Sequence, residues 1–122
     1  MFEKNMRISY LLDFYAEALD SHIANVMRAY YNDDLSLAEI AQGENISRQG
    51  IRHLIKKGED RLEFFEKKFG LAQRYEELQE ATHELLAVKS SLLSLGNIVE
   101  AEKIERAIGI ISKGNQDVRE SG

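Results

Sequence analysis

The residues that most constrain the fold of this chain lie between positions 36 and 62, SLAEIAQGENISRQGIRHLIKKGEDRL. Ser36 and Glu39 have the spacing of a capping box, in which each side chain satisfies a backbone donor at the start of a helix. The letters GEN then interrupt the apolar pattern, and Gly or Asn can adopt the left-handed conformation that ends a helix. Ser47 follows as the N-cap candidate of a second helix. The pattern predicts a helix-turn-helix.

The second of these helices has two chemically different faces. Its predicted inward stripe is apolar and recurs at helical spacing: Ile51, Leu54, Ile55 and Leu62. Its outward residues carry cations and amides, which can contact phosphate oxygens and base edges in a major groove. We predict that five of them bind nucleic acid: Arg48, Gln49, Arg52, His53 and Lys56. The alternative stays open, because capped amphipathic pairs occur in any helical bundle and a basic face often serves solubility alone.

The charge of the chain limits how it binds nucleic acid. With a formal net charge of −5, it gains little from long-range attraction to phosphates. Local charge counts for more at contact distance, because salt screens interactions beyond roughly 10 Å. Between positions 48 and 61 there are five Lys or Arg residues and two acidic ones, so the second helix is a basic spot on an acidic molecule. This favours selective binding over strong non-specific binding.

Composition favours an all-α fold. Proline is absent from the 122 residues, and no stretch alternates steadily between apolar and polar residues. The length predicts one domain, or one compact domain with a helical extension, and a hydrophobic fraction of 43% is ordinary for a soluble globular protein. The absence of cysteine excludes disulfides, zinc–thiolate sites and thiol chemistry. With no signal-peptide pattern and no apolar run of roughly 18 residues, the expectation is a soluble cytoplasmic protein without membrane insertion.

No pattern in the sequence predicts an enzyme. The histidines, His22, His53 and His83, fall on separate predicted helices, without carboxylates at metal-ligand spacing. The acidic pairs are adjacent in sequence, so their side chains point to different sides of a helix. There is no Gly-rich phosphate loop and no serine elbow. We therefore expect no catalytic residues, no metal and no cofactor.

Residues 1–70 are predicted to form the helix-turn-helix domain. Two helices precede the motif, the first with an N-cap candidate at Asn5 and the second with one at Asp20 or Ser21. The second helix of the motif contains Gly58, which costs about 1 kcal/mol relative to alanine. This cost makes a local bend possible at that position.

The C-terminal part is predicted to be an amphipathic helical hairpin. Its first helix carries apolar residues at spacings of three and four: Leu71, Tyr75, Leu78, Ala81, Leu85, Val88, Leu92 and Leu95. Gly96 ends this helix, and a last helix follows with isoleucines on one face. The two helices are expected to pack as an antiparallel hairpin over residues 71–113, followed by a frayed tail at 114–122.

The apolar stripe of the hairpin predicts a further contact. The hairpin hides part of each stripe, and the N-terminal helices or a second chain must cover the rest. We expect a homodimer through residues 71–95. A second copy would bring two recognition helices together, as dimeric helix-turn-helix proteins require for half-sites about 34 Å apart.

Three stretches carry a resemblance to a known family: LLDFYAEAL at 11–19, YYNDDLSLAEIA at 30–41 and ISRQGIRHLIKKGEDRLE at 46–63. They are similar to the YlxM family of small bacterial helix-turn-helix proteins, over somewhat more than half of the chain. The resemblance implies a motif similar to the DNA-reading region four of bacterial primary sigma factors. It also implies a role in the signal recognition particle pathway, because the family's genes tend to neighbour those of the particle and its receptor.

The chain departs from the family pattern at three positions. Family members usually carry a large apolar residue at Glu44, alanine at Gly50 and a polar residue at Ile23. A glycine one turn into the recognition helix and an acid in the turn are expected to loosen the motif.

Two functions are compatible with these features. The first is a regulatory protein that binds nucleic acid, DNA or RNA, through the five outward residues of the second helix. The second is a protein–protein adaptor that contacts the targeting particle or its GTPases without sequence-specific nucleic-acid binding. It would use the basic helix or the C-terminal leucines.

Overall fold

The computed structural model describes residues 5–120, which are helical almost throughout. A short 3-10 turn at Ala16–Ala18 follows the first of six α-helices: α1 (Met6–Tyr15), α2 (Ser21–Tyr31), α3 (Leu37–Glu44), α4 (Arg48–Phe69), α5 (Leu71–Ser94) and α6 (Ile98–Glu120). The all-α fold class, with a helix-turn-helix in α3 and α4 and a hairpin in α5 and α6, is confirmed. None of the described helices combines the length and the hydropathy needed to cross a membrane.

Side-chain caps set where the first four helices begin. The side chain of Asn5 accepts a hydrogen bond from the backbone N–H of Arg7, and that of Asp20 accepts one from His22. Ser36 and Glu39 form the predicted capping box, with bonds of 3.0 and 3.1 Å. Each cap of this kind stabilises its helix by about 1 kcal/mol, because it satisfies a donor that the helix itself cannot. The sequence signals for these helix starts are confirmed.

The chain divides into two compact units, residues 5–70 and Leu71–Glu120. In the first unit, α4 packs against α1, α2 and α3. The centre of this core is made of side chains with almost no exposed surface: Leu11, Leu12, Val26, Met27, Ile51 and Leu62. Because Ile51 and Leu62 lie on one side of α4, their burial fixes which side of that helix faces solvent.

Gly58 allows α4 to lie close to α2. The helix runs as one element from Arg48 to Phe69, without a break at this glycine. A Cβ at Gly58 would lie 2.7 Å from the sulfur of Met27 and 3.0 Å from the Cγ2 of Ile23. The glycine therefore serves packing, a role that helix propensity alone does not reveal because the neighbouring helix creates it.

Gly58→Ala is expected to lower the free energy of unfolding by about 1–2 kcal/mol. Overpacking of a filled core costs about 1–3 kcal/mol, and the better helix propensity of alanine offsets up to about 1 kcal/mol of it. Gly43→Ala is the matched control, because Gly43 is also helical but a Cβ there meets nothing within 4 Å. It is expected to stabilise the chain by up to about 1 kcal/mol. Urea unfolding measures both, and a shift of the same sign in the two variants would contradict this role of Gly58.

The second unit is the antiparallel hairpin of α5 and α6. Gly96 adopts φ +80°, and α5 ends with bonds from Gly96 N–H to the Leu93 carbonyl (3.1 Å) and from Asn97 N–H to the Leu92 carbonyl (2.9 Å). This is the Schellman pattern, which needs a left-handed residue and so favours glycine. The ammonium group of Lys89 lies 3.3 Å from the carboxylate of Glu105 across the hairpin.

The last helix is longer than the sequence predicted. Residues 114–120, expected to be part of a frayed tail, continue α6 to Glu120; positions 121 and 122 lie outside the described residues. The buried Asn115 side chain donates to the Tyr75 carbonyl (3.0 Å) and to the Gln79 side chain (3.3 Å). The guanidinium of Arg119 also packs 5.2 Å from the ring centre of Tyr75. These contacts hold the polar end of α6 against α5 and so stabilise its helical conformation. They also fix the register of the hairpin.

Candidate nucleic-acid interface

The turn between α3 and α4 is held by backbone and side-chain bonds. Asn45 adopts the left-handed conformation (φ 57°, ψ 43°), and the Ile46 N–H reaches back to the Ala41 carbonyl at 3.1 Å. The Ser47 hydroxyl accepts a 3.0 Å bond from the Gly50 N–H and so caps α4. Asparagine tolerates this conformation better than most residues, which explains the tight three-residue connection.

The residues expected to loosen the motif are integrated into it. Glu44 lies 2.8 Å from the Nε2 atom of His22 and so ties the end of α3 to the start of α2. At Gly50, a Cβ would lie 2.6 Å from the Cγ2 of Ile46, so glycine relieves crowding inside the turn. Sequence reasoning missed both effects because the partner of Glu44 lies in another helix and the neighbour of Gly50 is positioned only by the folded turn.

The five predicted residues lie together on the exposed side of α4, and we call them the basic face: Arg48, Gln49, Arg52, His53 and Lys56. Their placement follows from the burial of Ile51, Ile55 and Leu62 on the opposite side of the helix. At 100° per residue the five positions span less than half of the helix circumference. One surface of a binding partner can therefore contact all of them at once.

The acidic residues of α4 are all engaged with neighbours. The helix contains four: Glu59, Asp60, Glu63 and Glu66. Glu59 accepts a hydrogen bond from the Tyr31 hydroxyl, and Glu66 accepts one from the Tyr15 hydroxyl at 2.6 Å. Three of the four thus bond to α1 or α2, because Glu63 pairs with Arg7 through bonds of 2.7 and 3.0 Å. Three of the four negative charges of α4 are thus engaged by α1 or α2, and the fourth, Asp60, is paired with Lys56 of the basic face.

The pKa shifts agree with these contacts. Hydrogen bonding to Arg7 lowers the pKa of Glu63, so this carboxylate stays ionised and paired at neutral pH. Burial, followed by the bond to Glu59, raises the pKa of the Tyr31 hydroxyl, which therefore stays a donor. The hydrogen bonds of the capping box lower the pKa of Glu39 and keep a negative charge in the first turn of α3, where the helix dipole favours it.

The cations of the basic face are largely free to bind a ligand. Within residues 5–120, neither Arg48 nor Arg52 pairs with an acid; Arg52 makes one long contact of 3.4 Å to the Gln49 side-chain oxygen. Lys56 forms a 3.0 Å pair with Asp60, which raises the pKa of the lysine. Both side chains of that pair are mostly exposed, so a phosphate can replace the carboxylate at little cost.

A cleft of about 860 Å³ lies beside the basic face. Arg48, Gln49 and Arg52 line one wall, and the first turn of α3 with Tyr30 and Leu35 lines the other. The two guanidinium groups each offer several N–H donors in a planar arrangement that suits phosphate and guanine. The cleft and the basic face thus offer hydrogen-bond donors and positive charge on one exposed surface. Within the described residues no group of three or more His, Asp or Glu side chains is placed to hold a metal.

Comparison with known proteins identifies relatives of the whole helix-turn-helix unit. The sequence model of one family, described as "UPF0122: Putative helix-turn-helix protein, YlxM / p13 like", matches residues 2–97. This match spans α1 to α5, so it includes the basic face and the first helix of the hairpin. The description is that of a helix-turn-helix protein, which is not a class of enzyme.

Individual relatives come from several bacteria. A UPF0122 protein of Bacillus cereus is 42% identical over 113 residues, which cover 93% of this chain and 98% of the relative. One from Listeria welshimeri is 38% identical over 109 residues, covering 80% of this chain and 99% of the relative. One from Geobacillus kaustophilus is 46% identical over 76 residues, covering 62% of this chain and 69% of the relative. The similarity to the first two extends through most of the length of both proteins.

Proposed function

The chain belongs to the YlxM/p13-like family of helix-turn-helix proteins, and we propose that it is a regulatory protein that binds nucleic acid through the basic face. The proposal includes no catalytic activity. The family resemblance suggests the signal recognition particle pathway as its setting, and hence the cytoplasm as its compartment. The ligand is DNA or RNA.

One observation carries this proposal: three of the four acids of α4 are engaged by α1 and α2, while Arg48 and Arg52 are exposed beside a cleft. A face that served solubility alone would need no such separation of charge. A net charge of −5 gives the chain little long-range attraction to nucleic acid. This does not prevent binding through the basic face, because the attraction between its cations and phosphates acts at contact distance.

Selection of bound nucleic acid followed by sequencing tests the proposal most broadly. Random pools of duplex DNA, single-stranded DNA and RNA would each be incubated with the purified chain, and the retained molecules sequenced. We expect enrichment from at least one pool, with an affinity for the enriched ligand that falls steeply as salt rises. The absence of enrichment from every pool would contradict the proposal.

The hairpin supports a second element of the proposal, a homodimer through residues 71–95. Of the described apolar residues in α5 and α6, only Ala72 and Ala101 are buried, which leaves the apolar stripes half-covered. A groove of about 280 Å³ runs along one side of the hairpin between Leu78 of α5 and Ile111 of α6. A second hairpin laid on this side would bury the stripes of both copies.

The same exposed side chains favour the alternative function, that of an adaptor. Leu93, Leu95, Ile98 and Val99 are exposed around the connection of α5 and α6. Apolar clusters of this kind mark protein–protein contact sites. A pull-down with reconstituted signal recognition particle and its receptor separates the two functions. Association that persists after loss of the basic-face arginines would favour the adaptor.

A further inference from the structure

Phe64 places an aromatic ring in solvent on the outer side of α4. Its side chain is 52% exposed, although the helix has a well-filled core on its other side. Phe64 is four turns beyond Gln49 and three turns beyond His53, so at helical spacing it continues the outer side that carries the basic face. The fold does not need a ring at this position, because the ring is not part of the buried core.

The ring of Phe64 packs against an aromatic side chain that is itself packed on the core. Its centroid lies 6.1 Å from that of Phe65 in an edge-to-face arrangement, and Phe65 packs 5.7 Å from the buried Tyr15. Such aromatic pairs prefer a fixed mutual geometry. Phe64 is therefore the exposed edge of an aromatic cluster that is anchored in the core, which leaves its outer surface available for stacking.

Cations surround the ring. Arg61, Lys67 and Lys68 lie three or four positions away on the helix, the distances at which side chains are neighbours. The one acid at such a position is Asp60, and its carboxylate is paired with Lys56. The immediate surroundings of the ring are therefore positively charged, which complements a strand of phosphates, whereas two copies of this patch facing each other across a twofold contact would repel.

We propose that Phe64 is a stacking platform for an unpaired base, and that the ligand of this chain is a nucleic acid with a single-stranded segment beside the part held by the basic face. Bases in a duplex are stacked on each other and have no free face for a side chain, whereas unpaired bases stack readily on Phe, Tyr or Trp. Arg61, Lys67 and Lys68 would hold the phosphates on either side of the stacked base. The inference rests on the proposed function and specifies the class of ligand.

Affinities for two probes test the inference. Oligothymidylate supplies unpaired bases, and a blunt duplex DNA supplies none. Phe64→Ala is expected to weaken binding to oligothymidylate by about five- to a hundredfold, the effect of losing one stacked base, and to leave duplex binding unchanged. Phe64→Tyr, which keeps the ring, should bind both probes as the parent does. Equal affinity of Phe64→Ala and the parent for oligothymidylate would overturn the inference, as would a loss of self-association as the only effect of the change.

Tryptophan fluorescence provides a direct readout of stacking. The sequence contains no tryptophan, so Phe64→Trp introduces a single reporter, and Val99→Trp places a similarly exposed one in the hairpin. Oligothymidylate should quench the first reporter and leave the second unchanged, because a stacked base quenches the ring that it covers. Quenching of both reporters, or of neither, would overturn the inference.

The two proposals fail in distinguishable ways. If the parent binds the duplex but not oligothymidylate, the basic face remains the site and the stacking platform is wrong. If a variant without Arg48 and Arg52 binds both probes as tightly as the parent does, the proposed function itself is wrong.

Discussion

Replacing both Arg48 and Arg52 with alanine is expected to abolish nucleic-acid binding at physiological salt. Each arginine can make a charge-assisted contact to a phosphate or to guanine, and loss of one such contact costs about 1–3 kcal/mol. Loss of both thus costs about 2–6 kcal/mol, between one and four orders of magnitude in affinity. The slope of log affinity against log salt should also fall by about two if both arginines contact phosphates. Filter binding or fluorescence anisotropy over a salt series measures both quantities.

The matched control removes the same charge elsewhere. Arg106 and Lys113 are exposed on α6, far along the chain from the basic face, so their double replacement with alanine changes the net charge by the same amount. It should leave affinity nearly unchanged if local contacts dominate. An equal loss in both double variants would instead assign binding to the overall field of the molecule and contradict a specific role of the two arginines.

Val88→Glu is expected to dissociate the homodimer. Val88 is 45% exposed and lies two seven-residue repeats after Arg74, so it is on the same side of α5 as this residue, which lines the groove of the hairpin. A carboxylate buried there without a partner costs about 2 kcal/mol or more, and a twofold interface contains the substitution twice. Sedimentation equilibrium at micromolar concentration should therefore show a dimer for the parent and a monomer for Val88→Glu.

The control for this substitution lies on the opposite flank of the same helix. Leu86 is 44% exposed, but it is rotated about 160° away from Val88, so Leu86→Glu should leave the dimer intact. Leu85 and Leu92 are half-buried within the hairpin and would test its own packing instead. A parent chain that is monomeric at micromolar concentration, or equal dissociation by both glutamates, would rule out this interface.

Local signals in the sequence predicted the fold well. Helix starts depend on one side chain and the backbone two or three residues away, so Asp20, Ser36 and Ser47 could be recognised as caps without any knowledge of the tertiary structure. The same holds for the basic face, because a helix with a buried stripe must expose its other residues. These features need only neighbours within about one turn.

The errors came from contacts between distant residues. Gly58 looked unfavourable because its cost to the helix is local, whereas its benefit comes from the close approach of Met27 in another helix. Residues 114–120 looked frayed because they are polar, but Asn115 bonds to the backbone of Tyr75 in the other helix of the hairpin. Glu44 looked disruptive until its partner, His22, was known. The role of each of these residues depends on a partner in another helix, which sequence spacing does not reveal.

The most informative part of the site was also invisible in the sequence. Counting charges showed that α4 is basic, but not which of its charges are free. Tyr15, Tyr31 and Arg7 engage three of its carboxylates, and only the packing of α1 and α2 against α4 brings these partners into place. Exposure of Phe64 is similarly a property of the folded helix, since nearby Phe65 packs inward against Tyr15.

Amide chemical shifts recorded during titration with the selected nucleic acid test the central claim most directly. If the outer face of α4 is the binding surface, the largest shift changes fall on Arg48, Gln49, Arg52 and His53, with a second group around Phe64. Changes confined to the hairpin, with α4 unaffected, would contradict the account.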